Sequence, residues 1–277
     1  MDLRRIVVAT DASEAGRAAI RAGRQMAEAA GGELIVMTAA LNARAAVAVG
    51  GGTWDQGIDS VDALARHLST EFDNVVPPNV ELALVAGLPG IEVPRFAEER
   101  GAGLIVLGRK PRSQAARLVM GDTADAVARR SRIPCLIVPN GSGRFTRVLA
   151  ALDGTPRADI VFDAACGFAR PLGAELGVVT VERRGAGEPA ALSARLPGAR
   201  SERVTRSAQE LGARCGLAVR AMARQGETVP EILAEAASWD VLAVGYHRGG
   251  PPGIIEAGSV ARRLAHGTPG ALLTVPL

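Results

Sequence analysis

Short apolar runs, many of them β-branched, alternate with longer stretches of helical periodicity along the whole chain. In the first half, IVVAT (6–10), LIVMTA (34–39), ELALVAG (81–87), LIVLG (104–108) and CLIVP (135–139) predict five strands. Residues 13–30 carry helix formers and stop at Gly31-Gly32, a good helix end. Further helices are predicted over 58–73, over PGIEVPRFAEERG from Pro89, and near 122–131. Residues 42–57, including Gly50-Gly51-Gly52, have no clear period and predict a loop. Strands that are apolar nearly throughout are buried on both sides. Alternation with helices therefore predicts an α/β fold, a parallel sheet with helices on both faces.

The pattern then repeats. RRIVVATDASEAGRAAI around Asp11 returns as TRVLAALDGTPRADIVF around Asp153, and ELIVMT from Glu33 returns as ELGVVT from Glu175, at an offset of 142. LIVLGRKP…MGDT…LIVP (104–139) is answered by VLAVGYHR…AGSV…LLTVP (241–276) at an offset of 137. A period of this size is a whole small domain, too long for a solenoid unit. The chain reads as two domains, 1–140 and 146–277, joined by the turn-forming NGSGRFT (140–146). Two copies imply an internal pseudo-twofold pair. The second copy has its own variable loop, Arg183–Gly198, rich in Gly, Ala and Pro.

Composition narrows the function classes. At 277 residues each copy is near the usual domain size, and 48% hydrophobic with 22% charged residues is globular. Aromatics make up only 3%, so the cores are packed with Ala, Val, Leu and Ile. Lys110 is the sole lysine and arginine supplies the remaining basic charge, with acids interleaved to a net +3. No basic run interleaved with aromatics is present, so nucleic acid is not an expected partner. Cys135, Cys166 and Cys215 form no CxxC or metal-like spacing. Cys135 reads as a buried thiol, which fits a reducing cytoplasm. The apolar run before Asp11 is too short for a signal peptide, and no stretch has the length of a membrane helix, so a cytoplasmic protein without a membrane partner is expected.

In an open α/β sheet, ligands bind beyond the carboxyl ends of the strands where strand order reverses. The first and fourth strands are the candidates here, and their exits carry Asp11 and Gly108 in copy one, Asp153 and Gly245 in copy two. A glycine leaving a strand permits positive φ and lets backbone approach a phosphate. A following helix N-terminus offers unpaired amides and a positive dipole end.

ATDASE and ALDGTP after the first strand, the glycine spacing after the fourth, and a closing apolar strand ending in Pro together resemble the universal stress protein family in tandem form. The resemblance covers both halves. It implies a five-stranded parallel sheet per domain in the order 3-2-1-4-5. It further implies pairing of the last strands of two domains across a twofold, here within one chain, with a homodimer of chains as an open alternative. Many members bind ATP or AMP, with or without Mg; others have lost the site. In those that bind, the Asp after strand one and the end of strand two hold the adenosine end: Asp153 and Val181 in copy two, Asp11 and Ala39 in copy one. Either Asp reads equally well as a cap or turn residue, because DGTP and DASE both look like helix starts. Val244 is placed under the ring or sugar, and is equally a core strand position.

The pattern G-x2-G-x9-G-[ST] is kept unevenly. Copy two has Gly245, Gly258, Ser259 and the following Val260, but Arg248 stands where the second glycine belongs, with Gly249 next to it and Pro251-Pro252 beyond. An arginine there can contact phosphate or block the loop. His247 within the loop can hydrogen-bond a phosphate or stand exposed. Copy one keeps Gly108 and Gly121, but Pro111 removes an N–H donor and Asp122 replaces the Ser/Thr. A carboxylate about 4 Å from a phosphate is repelled by roughly 4 kcal/mol at an effective dielectric near 20, about three orders of magnitude in affinity. Arg109, Lys110 and Arg112 offset part of that, and Asp122 also reads as a helix N-cap. Copy two is therefore the expected nucleotide site and copy one the degenerate one. His67 reads as a surface helix residue and His266 as the end of the last helix, where it meets the dipole.

No G-x4-G-K-[ST], G-x-S-x-G, H-E-x-x-H or G-x-G-x-x-G occurs, and no nucleophile stands beside an activating base. The expectation is an adenine-nucleotide-binding stress-response or regulatory module and not an enzyme, with any ATP hydrolysis slow; a nucleotide hydrolase would need a metal and a base that the sequence does not point to. The rival expectation is a nucleotide-free scaffold. It is favoured by the shared departures at Pro111 and Arg248, with the loops 42–57 and 183–198 carrying an unknown protein partner.

Overall fold

The computed structural model describes residues 1–11, 13–40, 80–109, 122–182, 206, 208, 210, 212, 213, 215–246 and 260–277. The loops expected at 42–57 and 183–198 and the helix expected at 58–73 lie outside these. The chain divides into two units, the main spans being Asp2–Arg144 and Phe145–Val275.

The first unit runs β1 (Arg5–Ala9), α1 (Glu14–Ala30), β2 (Glu33–Ala40), β3 (Glu81–Ala86), α2 (Pro89–Glu99), β4 (Leu104–Arg109), α3 (Asp122–Arg130) and β5 (Cys135–Pro139). Its strand order is β3-β2-β1-β4-β5. β1 lies between β2 and β4, parallel to both, with Val7 opposite Ile35 on one side and Ile105 on the other. The second unit runs β6 (Arg147–Ala151), α4 (Ala158–Leu172), β7 (Glu175–Glu182), β8 (Val219–Gln225), α5 (Thr228–Ala236), β9 (Val241–Tyr246), α6 (Val260–Gly267) and β10 (Ala271–Pro276). Its order, β8-β7-β6-β9-β10, is the same arrangement, with Leu149 between Gly177 and Leu242. The order expected from the resemblance is thus present in each unit.

Local chemistry explains the boundaries. Ser13 caps α1, accepting from the Gly16 amide, and Gly31 ends it in the left-handed conformation at φ 61. Gly173 ends α4 in the same way. The central strands bury Ile6, Val7, Val8, Leu104, Ile105 and Val106 completely, each worth about 1.5–3 kcal/mol of apolar transfer.

The scarcity of aromatics shows in how the helices approach. The buried face of α1 is almost all Ala and Gly, so its backbone lies close to the sheet. A Cβ on Gly23 would lie 2.3 Å from Val8 Cγ2. α4 follows the same design with Ala164, Ala165 and Ala169, and adds Phe168, whose ring meets Phe145 at 5.9 Å between centroids.

Candidate functional site

Each unit reverses strand order between its first and fourth strands, so the exits of β1 and β4, and of β6 and β9, define the crevices. The first strands extend one residue further by the same bond: Thr10 N donates to Met37 O, and Leu152 N to Val179 O, both at 2.9 Å. Asp11 and Asp153 come next, and both close the same local turn. Asp11 Oδ1 accepts from Ser13 N at 3.1 Å and Ser13 Oγ at 2.5 Å. Asp153 Oδ1 accepts from Thr155 N at 2.9 Å and Thr155 Oγ1 at 2.8 Å.

Beyond that turn the copies part. In the first unit Ser13 both fixes Asp11 and caps α1 at once. In the second, Gly154 at φ 71 turns the chain and Thr155 O accepts from Ala158 N at 3.0 Å, so α4 starts later and has no side-chain cap. The reading of DGTP as an immediate helix start is corrected accordingly. The carboxylate of Asp153 is left exposed, with Oδ1 held by both bonds and Oδ2 engaged in neither. A carboxylate with two acceptor oxygens is therefore presented at the switch point in a fixed orientation.

At the second strands, Ala39 and Val181 are half-buried and pair with Val85 and Arg224. The residue before each differs in an informative way. Thr38 Oγ1 donates to Thr10 O at 3.0 Å. Thr180, its equivalent, is 2% exposed and its hydroxyl has no hydrogen-bond partner among the described residues. An orphaned hydroxyl beside Leu152 and Val181 is the kind of group that ligand binding can satisfy after a rotamer change. Sequence reasoning missed Thr180, since both copies read Thr at that position and only geometry separates them.

The fourth strands correct one physical argument. The positive φ that a glycine permits at a strand exit is not used at Gly108 or Gly245: both lie within strands and outside the left-handed region. Their small size serves packing. A Cβ at Gly108 would lie 2.2 Å from Ala15 O of α1; at Gly245 it would lie 2.6 Å from Leu277 Cδ1 and 3.1 Å from Val161 Cγ2. Val244 is 2% exposed and belongs to the core. Arg109 is only 5% exposed, and burial pushes its guanidinium below the usual arginine value. Its equivalent in the second unit is the buried Tyr246, so the two crevices have different chemistry at the strand exit.

Gly121, His247, Arg248, Gly258 and Ser259 lie outside the described residues, as do Lys110, Pro111, Arg112 and His67. Val260 opens α6 and is 42% exposed; Asp122 opens α3; His266 occupies the last turn of α6. Among the described residues no cluster of His, Cys, Asp and Glu is arranged to hold a metal. No helix among them is long and apolar enough to cross a membrane.

Two doubly wound parallel units, each with an Asp turn at its switch point, define the class as a tandem α/β protein. Residues 2–139 and 144–276 each match the Universal stress protein family, and the chain belongs to that family. A universal stress protein from Archaeoglobus fulgidus DSM 4304 is similar over 100% of this chain and 99% of its own, at 18% identity and TM-score 0.72. A functionally unknown protein from Pseudomonas aeruginosa PAO1 is similar over 99% of this chain and 92% of its own, at 15% identity and TM-score 0.65. A universal stress protein solved in complex with cAMP is 26% identical and covers 51% of this chain and 100% of its own, with TM-score 0.38. No curated protein matches the chain.

Proposed function

We propose that the second unit binds an adenine nucleotide, ATP or AMP, and that the protein acts through that binding as a cytoplasmic stress-response or regulatory module. The observation that carries this reading is Asp153, exposed at the β6 exit with one carboxylate oxygen pinned by Thr155. The other oxygen suits the ribose hydroxyls of an adenosine. Val181 at the end of β7 borders the same exit, and the unsatisfied Thr180 hydroxyl adds a donor. The family pattern assigns the phosphate side of the site to Gly245, His247, Arg248, Gly258, Ser259 and Val260. Asp11, Ala39, Gly108 and Gly121 form the weaker counterpart in the first unit, where Asp122 and Pro111 oppose an anion.

Binding, with at most slow ATP hydrolysis, is the expected chemistry, because the sequence sets no nucleophile beside an activating base. Paired substitutions test the assignment of units. Ser259→Asp places a carboxylate against the phosphates and lowers affinity by a hundredfold or more, on the order of 3–4 kcal/mol; Asp122→Ala changes it little. Equal or reversed effects in a calorimetric titration contradict the reading.

The shared loss of the second glycine at Pro111 and Arg248 favours one rival, a nucleotide-free scaffold. Absorbance at 260 nm released on denaturing the purified protein separates the two, since a scaffold releases none.

A further inference from the structure

At the carboxyl ends of β6, β7 and β8, the ladder sets Leu152, Thr180 and Ala223 in one row. Leu152 continues the β6–β7 register through its bond to Val179 O, and Thr180 pairs with Ala223. Partners in a parallel ladder share a face of the sheet. The same row in the first unit is Thr10, Thr38 and Leu84. The two rows differ in chemistry and in space. Thr38 Oγ1 donates to Thr10 O at 3.0 Å, whereas Thr180, 2% exposed, has no hydrogen-bond partner for its hydroxyl among the described residues. Beside it, the half-buried isobutyl group of Leu84 is replaced by the exposed methyl of Ala223.

We propose that this row recognises the base of the nucleotide, with Thr180 as the residue that reads its polar edge; the assignment rests on the function proposed above. A purine is apolar on its flat faces and carries donors and acceptors around its rim. Leu152 supplies an apolar wall, and Ala223 leaves the space that Leu84 fills in the first unit. A hydroxyl between them can donate to a ring nitrogen or accept from an exocyclic amine. Asp153 follows Leu152 in the chain and Val181 follows Thr180, so consecutive residues serve the base and the ribose of one adenosine.

Energetics favour a ligand over a structural role. A buried hydroxyl without a partner carries a free-energy penalty that a valine of the same shape would not. The fold does not need the hydroxyl: β7 is laddered to both neighbours, and Leu152 N reaches Val179 O without it. In the first unit the matching donor is already engaged within the sheet. The unengaged hydroxyl therefore falls in the same unit as the exposed Asp153.

The test combines calorimetric titration of the full-length protein with ATP and with AMP, and urea unfolding of the same variants without nucleotide. Thr180→Val should weaken both nucleotides alike, by about five- to tenfold, while Thr180→Ser, which keeps the hydroxyl, stays within about twofold. Ala223→Leu, which restores the side chain of the first unit, should weaken both by about tenfold or more. Without nucleotide, Thr180→Val should keep or raise the urea midpoint, and Thr38→Val, which breaks a bond made in the free protein, should lower it. Unchanged affinity in Thr180→Val overturns the assignment. So does a fall in its midpoint as large as that of Thr38→Val, because the hydroxyl then has a structural partner. Absence of binding in the unsubstituted protein is a distinct result, which removes the nucleotide reading and this assignment with it.

Discussion

Gly177 and Trp239 have exchanged bulk with their counterparts. By register, Gly177 on β7 stands where β2 has Ile35, and Trp239 ahead of β9 stands where the first unit has Ala102. A Cβ on Gly177 would lie 2.3 Å from Trp239 Cη2, so the glycine exists to admit the indole. The ring is held in turn: its Nε1 donates to Glu235 Oε1 at 3.2 Å, and Glu235 pairs with Arg224 at 2.5 Å. Gly177→Ala should therefore lower stability by about 1–3 kcal/mol, an overpacking cost against a rigid group. In a Trp239→Phe background, where the benzo ring is gone, the same change should cost under about 1 kcal/mol. Urea midpoints of the four proteins check this; an undiminished cost in the second background refutes the exchange. Both residues were visible in the aligned repeats, but nothing in the text of the chain says that they touch. The same is true of Thr180, whose identity matches Thr38 while its hydrogen bonding does not.

At the scale of elements, the start of the second sheet depends on Asp240. Its Oδ2 accepts from Thr146 N at 2.7 Å, Thr146 Oγ1 at 2.8 Å and Arg147 N at 2.9 Å, joining the entry of β6 to that of β9. Burial disfavours the charged form, but the Thr146 amide and hydroxyl, the Arg147 amide and the Arg147 guanidinium together hold the carboxyl below its ordinary value. A folded pKa below the unfolded one stabilises above the unfolded value, and that stability is lost as pH falls through the folded value. Asp240→Asn should cost about 1–2 kcal/mol at neutral pH and flatten the acid limb of the stability curve. An acid limb of unchanged slope contradicts this role. The strand runs, the helix start at DASE and the stop at Gly31 were legible in the sequence because they are local, each acting within one turn. The late start of α4 was not, because it depends on the left-handed Gly154 and on the Thr155 carbonyl. Gly108 and Gly245 were marked as site residues for backbone freedom. In the structure they make room for α1 and for Leu277, a property of packing across the fold that spacing alone does not report.

For the whole molecule, duplication has produced two units with one topology and different crevices. The first presents a buried Arg109 at its fourth-strand exit and an Asp at the helix start; the second presents Tyr246 and an exposed Asp153. On the function proposed above, that asymmetry leaves one nucleotide site per chain, in the second unit. The direct measurement is isothermal titration of the purified chain with ATP, AMP and an unrelated nucleotide. The account predicts saturable heat with the adenine nucleotides at a stoichiometry near one, lost in Ser259→Asp and kept in Asp122→Ala. No heat above dilution at millimolar adenine nucleotide, from protein shown to carry none, would contradict it.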